Sequence, residues 1–126
     1  MEKKWNKSWK GSAQTRKQRT YVRNAPLHIQ GDFVAAHLPK DLRQKYKCRS
    51  IRLKVGDKVK VMRGSFRNKS GKVERINVKS RKVYITGIEF TKRDGSKAMR
   101  PVHPSNVIIQ ELDTNDKRRF AEKKQP

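Results

Sequence analysis

The stretch Val59–Val73, VKVMRGSFRNKSGKV, decides how the rest of the chain is read. Apolar strand-like residues stand on either side of a loop with a glycine at each end, Gly64 and Gly71, and six residues between them. A loop that cradles nucleotide phosphates needs four residues between its glycine and a Gly-Lys pair, then Ser or Thr for magnesium, and a helix to follow. Here Val73 follows Gly71-Lys72 and the text continues as a strand. The segment is therefore a hairpin with two backbone pivots. Its loop offers Arg67, Lys69 and Lys72 to an anion, Ser65 and Asn68 as hydrogen-bonding groups, and Phe66 as a stacking face. Cations, amides and an aromatic ring are the parts with which irregular RNA is recognised. In a neutral protein a solvated hairpin with Phe66 folded back would account for the same residues, so the overall charge has to decide.

It decides for a polyanion. The 126 residues carry 34 Lys and Arg against 11 Asp and Glu, a formal charge of +23, far beyond what solubility requires. Residues 1–30 hold eight basic side chains and one acid, and residues 57–112 hold fourteen and five, so both the N-terminal part and the middle are basic. A membrane surface is the competing anion. No apolar run approaches the ~20 residues of a span, no segment joins a basic face to a continuous apolar one, and the N-terminus has no secretory apolar region. The single cysteine, Cys48, excludes an internal disulfide framework and fits a reducing compartment, with the cytosol as the default.

Working outward from the hairpin, Val59 and Val61 alternate with Lys58 and Lys60, as one buried and one wet face require. In KVERINV, residues 72–78, Ile76 and Val78 agree in phase with each other but not with Val73, which predicts a bulge near Glu74. Runs at 82–90 (KVYITGIEF), 97–102 (KAMRPV) and 106–112 (NVIIQEL) complete five strands, separated by turn signals such as VGD, with Gly56 and Asp57, and KSR, KRDG and HPS. Five short strands within residues 54–112 suit a small barrel better than an open sheet with two exposed edges.

The flanks differ in composition. Residues 1–25 show no sustained period and few aliphatic side chains, and are expected as a basic extended arm. Residues 26–53 are expected as a helical collar. It gathers Leu27, Ile29, Phe33, Val34 and Leu38, then a short helix from about Pro39 to Tyr46 in which Leu42 and Tyr46 fall at i, i+4. Residues 113–126 are expected as a short C-terminal helix and tail, capped at Thr114 or Asn115. One modest core fits a chain of this size and polarity.

Within the arm, Arg16, Lys17, Arg19 and Arg23 are interleaved with Tyr21, a pattern that can neutralise phosphates while stacking on an unpaired base. A flexible solubilising tail is the alternative. Trp5 and Trp9, at i, i+4, could share a helical face, although a disordered end is the better expectation. His28, Arg49, Arg63, Arg81 and Lys82 join the candidate RNA contacts, and His103 in VHPSNV is expected to fix a turn or touch a phosphate.

Enzyme readings find little. His28, His37, His103 and Cys48 match no zinc spacing, since such ligands pair at intervals of two to five residues, and Lys47 and Arg49 beside Cys48 could make a reactive thiol but not a catalyst. Glu74 and Glu89, on adjacent strands, are better explained by cross-strand pairing with lysines than as catalytic carboxylates. No metal, cofactor or catalytic constellation is expected.

The segment VGDKVKVMRGSFRNKSGKVERI resembles the KOW motif, a β-hairpin found in ribosomal proteins and in NusG-type transcription factors. RKQRTYVRNAPLHI, LPKDLRQKYKCRSIRLKVGD and MRPVHPSNVII narrow the resemblance to the archaeal and eukaryotic branch of the universal large-subunit ribosomal protein twenty-four family, numbered twenty-six in eukaryotes. It covers roughly Arg16 to Leu112. Residues 1–14 fall outside it, and the family often has Ser or Thr where this chain has Pro39. The resemblance implies an SH3-like barrel that binds large-subunit rRNA in its 5′ region, supports early subunit assembly and lies near the exit of the peptide tunnel. Neighbouring ribosomal proteins would be partners, and the chain would be a monomer within the cytoplasmic ribosome. The alternative is a KOW adaptor docking tunnel-exit factors or transcription machinery. The NusG version of it is weak, because the about 28 residues from Pro26 to Lys54 are too few for the additional folded domain such factors carry.

Overall fold

The computed structural model describes residues 5, 6, 8, 9 and 11–121, so the parts of the expected arm and tail at 1–4, 7, 10 and 122–126 lie outside the described residues. In chain order come α1 (Thr15–Asn24), α2 (Leu27–Phe33), β1 (Ala35–His37), α3 (Lys40–Tyr46), β2 (Ser50–Arg52), β3 (Lys58–Val61), β4 (Ser70–Asn77), β5 (Lys82–Thr91), β6 (Lys97–Val102), a 3-10 turn (Pro104–Asn106), β7 (Val107–Glu111) and α4 (Arg118–Ala121).

The five expected strands are β3 to β7. They join β1 and β2 in one mainly antiparallel sheet of order β2-β1-β7-β3-β4-β5-β6, in which β1 lies parallel to β7. Strand β4 turns the corner: Ser70–Lys72 pair with β3, and Val73–Asn77 pair with β5. Between those stretches the register slips by one residue, Val73 opposing Ile85 and Arg75 opposing Tyr84, which places the predicted bulge at Glu74. Both halves bury the same core. Val59, Val61, Val107 and Ile109 from one half meet Val73, Val83, Ile85 and Ile88 from the other, all 2 % exposed or less, so the sheet is curved on itself. At about 1.5–3 kcal/mol for each such side chain, this cluster is the main source of stability.

Two expectations for the flanks change. Residues 15–24, read as part of an extended arm, form a helix: TRKQRTYVRN has no Gly or Pro and is rich in long straight-chain residues that lose little freedom in a helix. Pro26 ends it by holding Ala25 extended, at φ −61° and ψ 142°. The 26–53 segment contributes strands as well as helices, with Ala36 opposite Ile51 in β1 and β2, and it adds Val34, Leu38, Ile51 and Leu53 to the common core.

Helix boundaries also shift slightly. Pro39 is the N-cap of α3 rather than its first residue. The start of α4 is capped neither by Thr114 nor by Asn115 but by Asp116, whose carboxylate accepts from the Arg118 backbone N–H at 3.0 Å, an acid at a helix start being favoured by the exposed N–H groups there.

Candidate nucleic-acid interface

The β3–β4 loop is tightly wound. Asn68 N–H donates to the Val61 carbonyl (2.8 Å), Val61 N–H to the Lys69 carbonyl (2.9 Å), and Arg67 N–H to the Gly64 carbonyl (3.2 Å). Gly64 sits at φ +95° and Asn68 at +70°, the left-handed region that glycine adopts freely and asparagine tolerates. Gly71 is required for a different reason. It has no left-handed φ, but a Cβ there would run into the Thr86 carbonyl oxygen on β5.

This winding leaves Arg63, Ser65, Arg67, Asn68 and Lys69 exposed, and Lys72 exposed on β4 opposite Lys58. Phe66 does not stand free as a stacking face: its ring is half-buried on the hydrophobic core, with the Lys69 ammonium 5.0 Å and the Arg100 guanidinium 6.0 Å from its centroid. It anchors the loop and draws two cations together.

A second basic site lies between α1 and the turn joining β4 to β5. Arg19 and Arg23 on α1 face Lys79 and Arg81 across an open groove of about 760 Å³, with Val22 and Phe33 among its apolar lining and His103 on its wall. Local chemistry sets each wall. In the turn, the Asn77 side-chain carbonyl accepts from Ser80 N–H at 3.2 Å, and Arg81 takes a left-handed φ of 56°. On α1, Thr15, Arg19 and Val22 recur at i, i+4 and i+7 and so share the groove face. Buried Gln30 ties the helix down, its amide donating to the Ala25 carbonyl at 3.0 Å and to Arg23 at 3.4 Å.

His103 fixes a turn, as one of its two expected roles. Its Nδ1 accepts from Ser105 N–H (3.2 Å) and lies 2.8 Å from the Ser105 hydroxyl, capping the 3-10 turn. Burial, and then the charges of Lys82 and Arg81, push its pKa below the ordinary 6.5.

The remaining candidates scatter. On the opposite face of α1, the Tyr21 ring expected to be open for a base is covered: Trp9 stacks on it at 4.5 Å and Trp5 leans against it at 5.1 Å. The tryptophans thus pack rather than forming a disordered end. Arg16 and Lys17 border that cluster. His28 on α2 and Arg49 before β2 are exposed and line neither the loop nor the groove. Lys82 is half-buried at the start of β5.

The enzyme readings gain nothing from the fold. Among the described residues no three His, Cys, Asp or Glu are grouped to hold a metal, and Cys48 packs half-buried against the core. Glu74 stands at the bulge while Glu89 opposes Met99 on β6, so the two are not cross-strand neighbours. Nor is either paired with a lysine: the ion pairs among the described residues are Lys58–Glu111, Lys54–Asp116 and Arg119–Asp57. Among the described residues no helix is long and apolar enough to cross a membrane.

Comparison with known proteins is specific. The family model for the eukaryotic ribosomal proteins L26 and their archaeal counterparts, numbered twenty-four, matches residues 12–124. A curated relative from Methanosphaera stadtmanae, "Large ribosomal subunit protein uL24", is 41 % identical over 108 residues, covering 86 % of this chain and 92 % of its own.

Proposed function

Because the chain belongs to the family of eukaryotic L26 ribosomal proteins and their archaeal counterparts numbered twenty-four, we propose that this structural protein of the large subunit works by binding and ordering large-subunit rRNA. It belongs to the cytoplasmic ribosome. In this reading strands β3 to β7 form an SH3-like KOW barrel that serves as a rigid platform. The β3–β4 loop enters an irregular RNA junction in the 5′ region of the rRNA, α1 lies along a neighbouring strand, and the bound protein supports early assembly near the tunnel exit.

The observation that carries the proposal is the convergence of cations on two built features, the wound Gly64–Lys69 loop and the groove between α1 and the β4–β5 turn, in a chain of charge +23. Both suit phosphate contact, which positions RNA and supplies most of the affinity through counterion release. The adaptor alternative has less support. Helix α4 spends Arg119 and Phe120 on internal contacts, and edge strand β6 carries Lys97, Arg100 and Pro101, residues that discourage strand addition.

The test is a salt-titrated binding assay comparing a folded fragment from the 5′ region of large-subunit rRNA with a scrambled RNA of equal length and charge. The expected preference is a hundredfold or more, about 2.7 kcal/mol, and it survives added salt. Equal affinities that collapse together as salt rises would leave charge alone as the cause of binding and move the adaptor ahead.

A further inference from the structure

Resting on the rRNA-binding reading, we propose that the groove between α1 and the β4–β5 turn takes a single unpaired nucleotide of the RNA, its phosphates between the two basic walls and its base on the apolar floor. Arg19 and Arg23 line the groove from α1 and Lys79 and Arg81 from the β4–β5 turn, with Val22 and Phe33 among its apolar lining. Four cations around an apolar surface match a ligand that is anionic at its edge and flat and weakly polar in its body. A nucleotide has that division, with a flat body; a sulfate-like anion or an uncharged apolar ligand has only half of it.

Size and shape point the same way. At about 760 Å³ the groove falls within the ~300–1,000 Å³ typical of sites for small ligands. A paired RNA helix presents its backbone outward and keeps its bases stacked, so it could reach the rim cations but would leave the floor wet. An extruded nucleotide reaches both.

His103 adds selectivity. Because its Nδ1 accepts the Ser105 backbone N–H, a group that can only donate, the neutral ring carries its proton on Nε2. His103 therefore adds an uncharged N–H donor to the cationic donors of the groove lining, suited to a ring nitrogen or carbonyl on a base edge. Gln30, which lines the same groove, is held by the Ala25 and Arg23 carbonyls through its amide nitrogen, so that its position is fixed before ligand arrives.

The experiment uses the full chain and three short RNA hairpins alike except at one position, which carries a bulged adenosine, a bulged abasic ribose, or no bulge. Expected is a preference for the bulged adenosine over the abasic bulge of roughly fivefold or more, the low end of what stacking of one base contributes, with the unbulged hairpin weakest. In the Arg19→Ala/Arg81→Ala variant that ranking should flatten, whereas Arg67→Ala should weaken all three hairpins and preserve it. Equal binding of the three hairpins by a protein that still prefers the 5′ rRNA fragment overturns the nucleotide site and spares the rRNA reading. Loss of the rRNA preference itself overturns both. Displacement of the bulged hairpin from the groove by an acidic peptide as readily as by RNA of equal charge would also overturn the proposal, since the base would then contribute nothing.

Discussion

Arg119 grips Asp57 from 62 residues further along the chain: its Nη1 donates to Oδ1 at 2.7 Å and its Nη2 to Oδ2 at 2.5 Å. The other two Nη hydrogens go to the carbonyls of Asp113 (3.2 Å) and Arg52 (2.8 Å). Asp57 in turn accepts from the backbone N–H groups of Lys54 and Asp113. This pair is 0 % and 9 % exposed, and it fastens α4 beneath the turn that opens β3, helped by Phe120 stacking on Tyr46 at 4.8 Å.

Arg119→Ala should therefore destabilise the fold by about 3–5 kcal/mol, the usual cost of leaving one buried charge without its partner. Arg119→Lys should recover only part of this, because an ammonium cannot reproduce the two parallel bonds of the guanidinium. Urea unfolding measures both. A loss under about 1 kcal/mol for the alanine variant would mean that water replaces Arg119 and that the pair is not a fastening.

The two loop glycines should fail in different ways. At Gly64, φ +95° with open space around the missing Cβ makes substitution a matter of backbone strain alone, about 1–2 kcal/mol for alanine and more for valine. At Gly71 the Thr86 carbonyl stands where the Cβ must go, so Gly71→Ala has to push β4 away from β5 and should cost more than Gly64→Ala. Thermal unfolding of both variants gives the order; the reverse order would show that the loop conformation, not strand approach, limits the hairpin.

How far the sequence could reach follows from the range of each interaction. Strand periodicity is local, so each of the five strands is legible from its own run, and even the bulge at Glu74 from Val73, Ile76 and Val78. Strands β1 and β2 were not, because three-residue runs such as AAH and SIR have no period and become strands only through partners such as Ile51 and, for His37, Ile108. Arg119 was one of 34 basic residues, with nothing nearby to mark it as the buried one. Half of the groove was available in principle: Thr15, Arg19 and Val22 share a helical face, but the arm's polarity hid a helix whose faces are not apolar. The facing wall, Lys79 and Arg81, needed the fold.

Loop cations and the α1 anchor should be separable by salt. Arg67→Ala and Lys69→Ala are each expected to weaken RNA binding by about 1 kcal/mol or somewhat more. If about eight cations touch phosphate, the slope of log K against log salt is roughly minus six to minus seven, and each lost contact makes it shallower by about 0.7–0.9. Gln30→Ala removes no charge. It should reduce affinity by freeing α1 while leaving the slope close to that of the parent, and an unchanged affinity would mean that α1 holds its place without the Gln30 hydrogen bonds.

The His103 titration makes the last prediction, and its sign follows from the direction of the shift. Burial first, then Lys82 and Arg81, hold the folded-state pKa below 6.5, so the unfolded chain takes up this proton before the folded one does. In the interval between the folded pKa and 6.5 the unfolded state binds more protons, and stability rises with pH. The stabilisation is complete above 6.5 and is lost as pH falls through the folded pKa. Protonating Nδ1 also removes the acceptor that caps the 3-10 turn at Ser105. NMR titration should give a midpoint below 6.5, which Arg81→Ala and Lys82→Ala raise in part, since burial, the larger cause, remains. Bound RNA should raise it as well, because phosphates offset the same two charges. A midpoint at or above 6.5 in the free protein would mean that neither desolvation at the groove nor the charges of Lys82 and Arg81 act on His103.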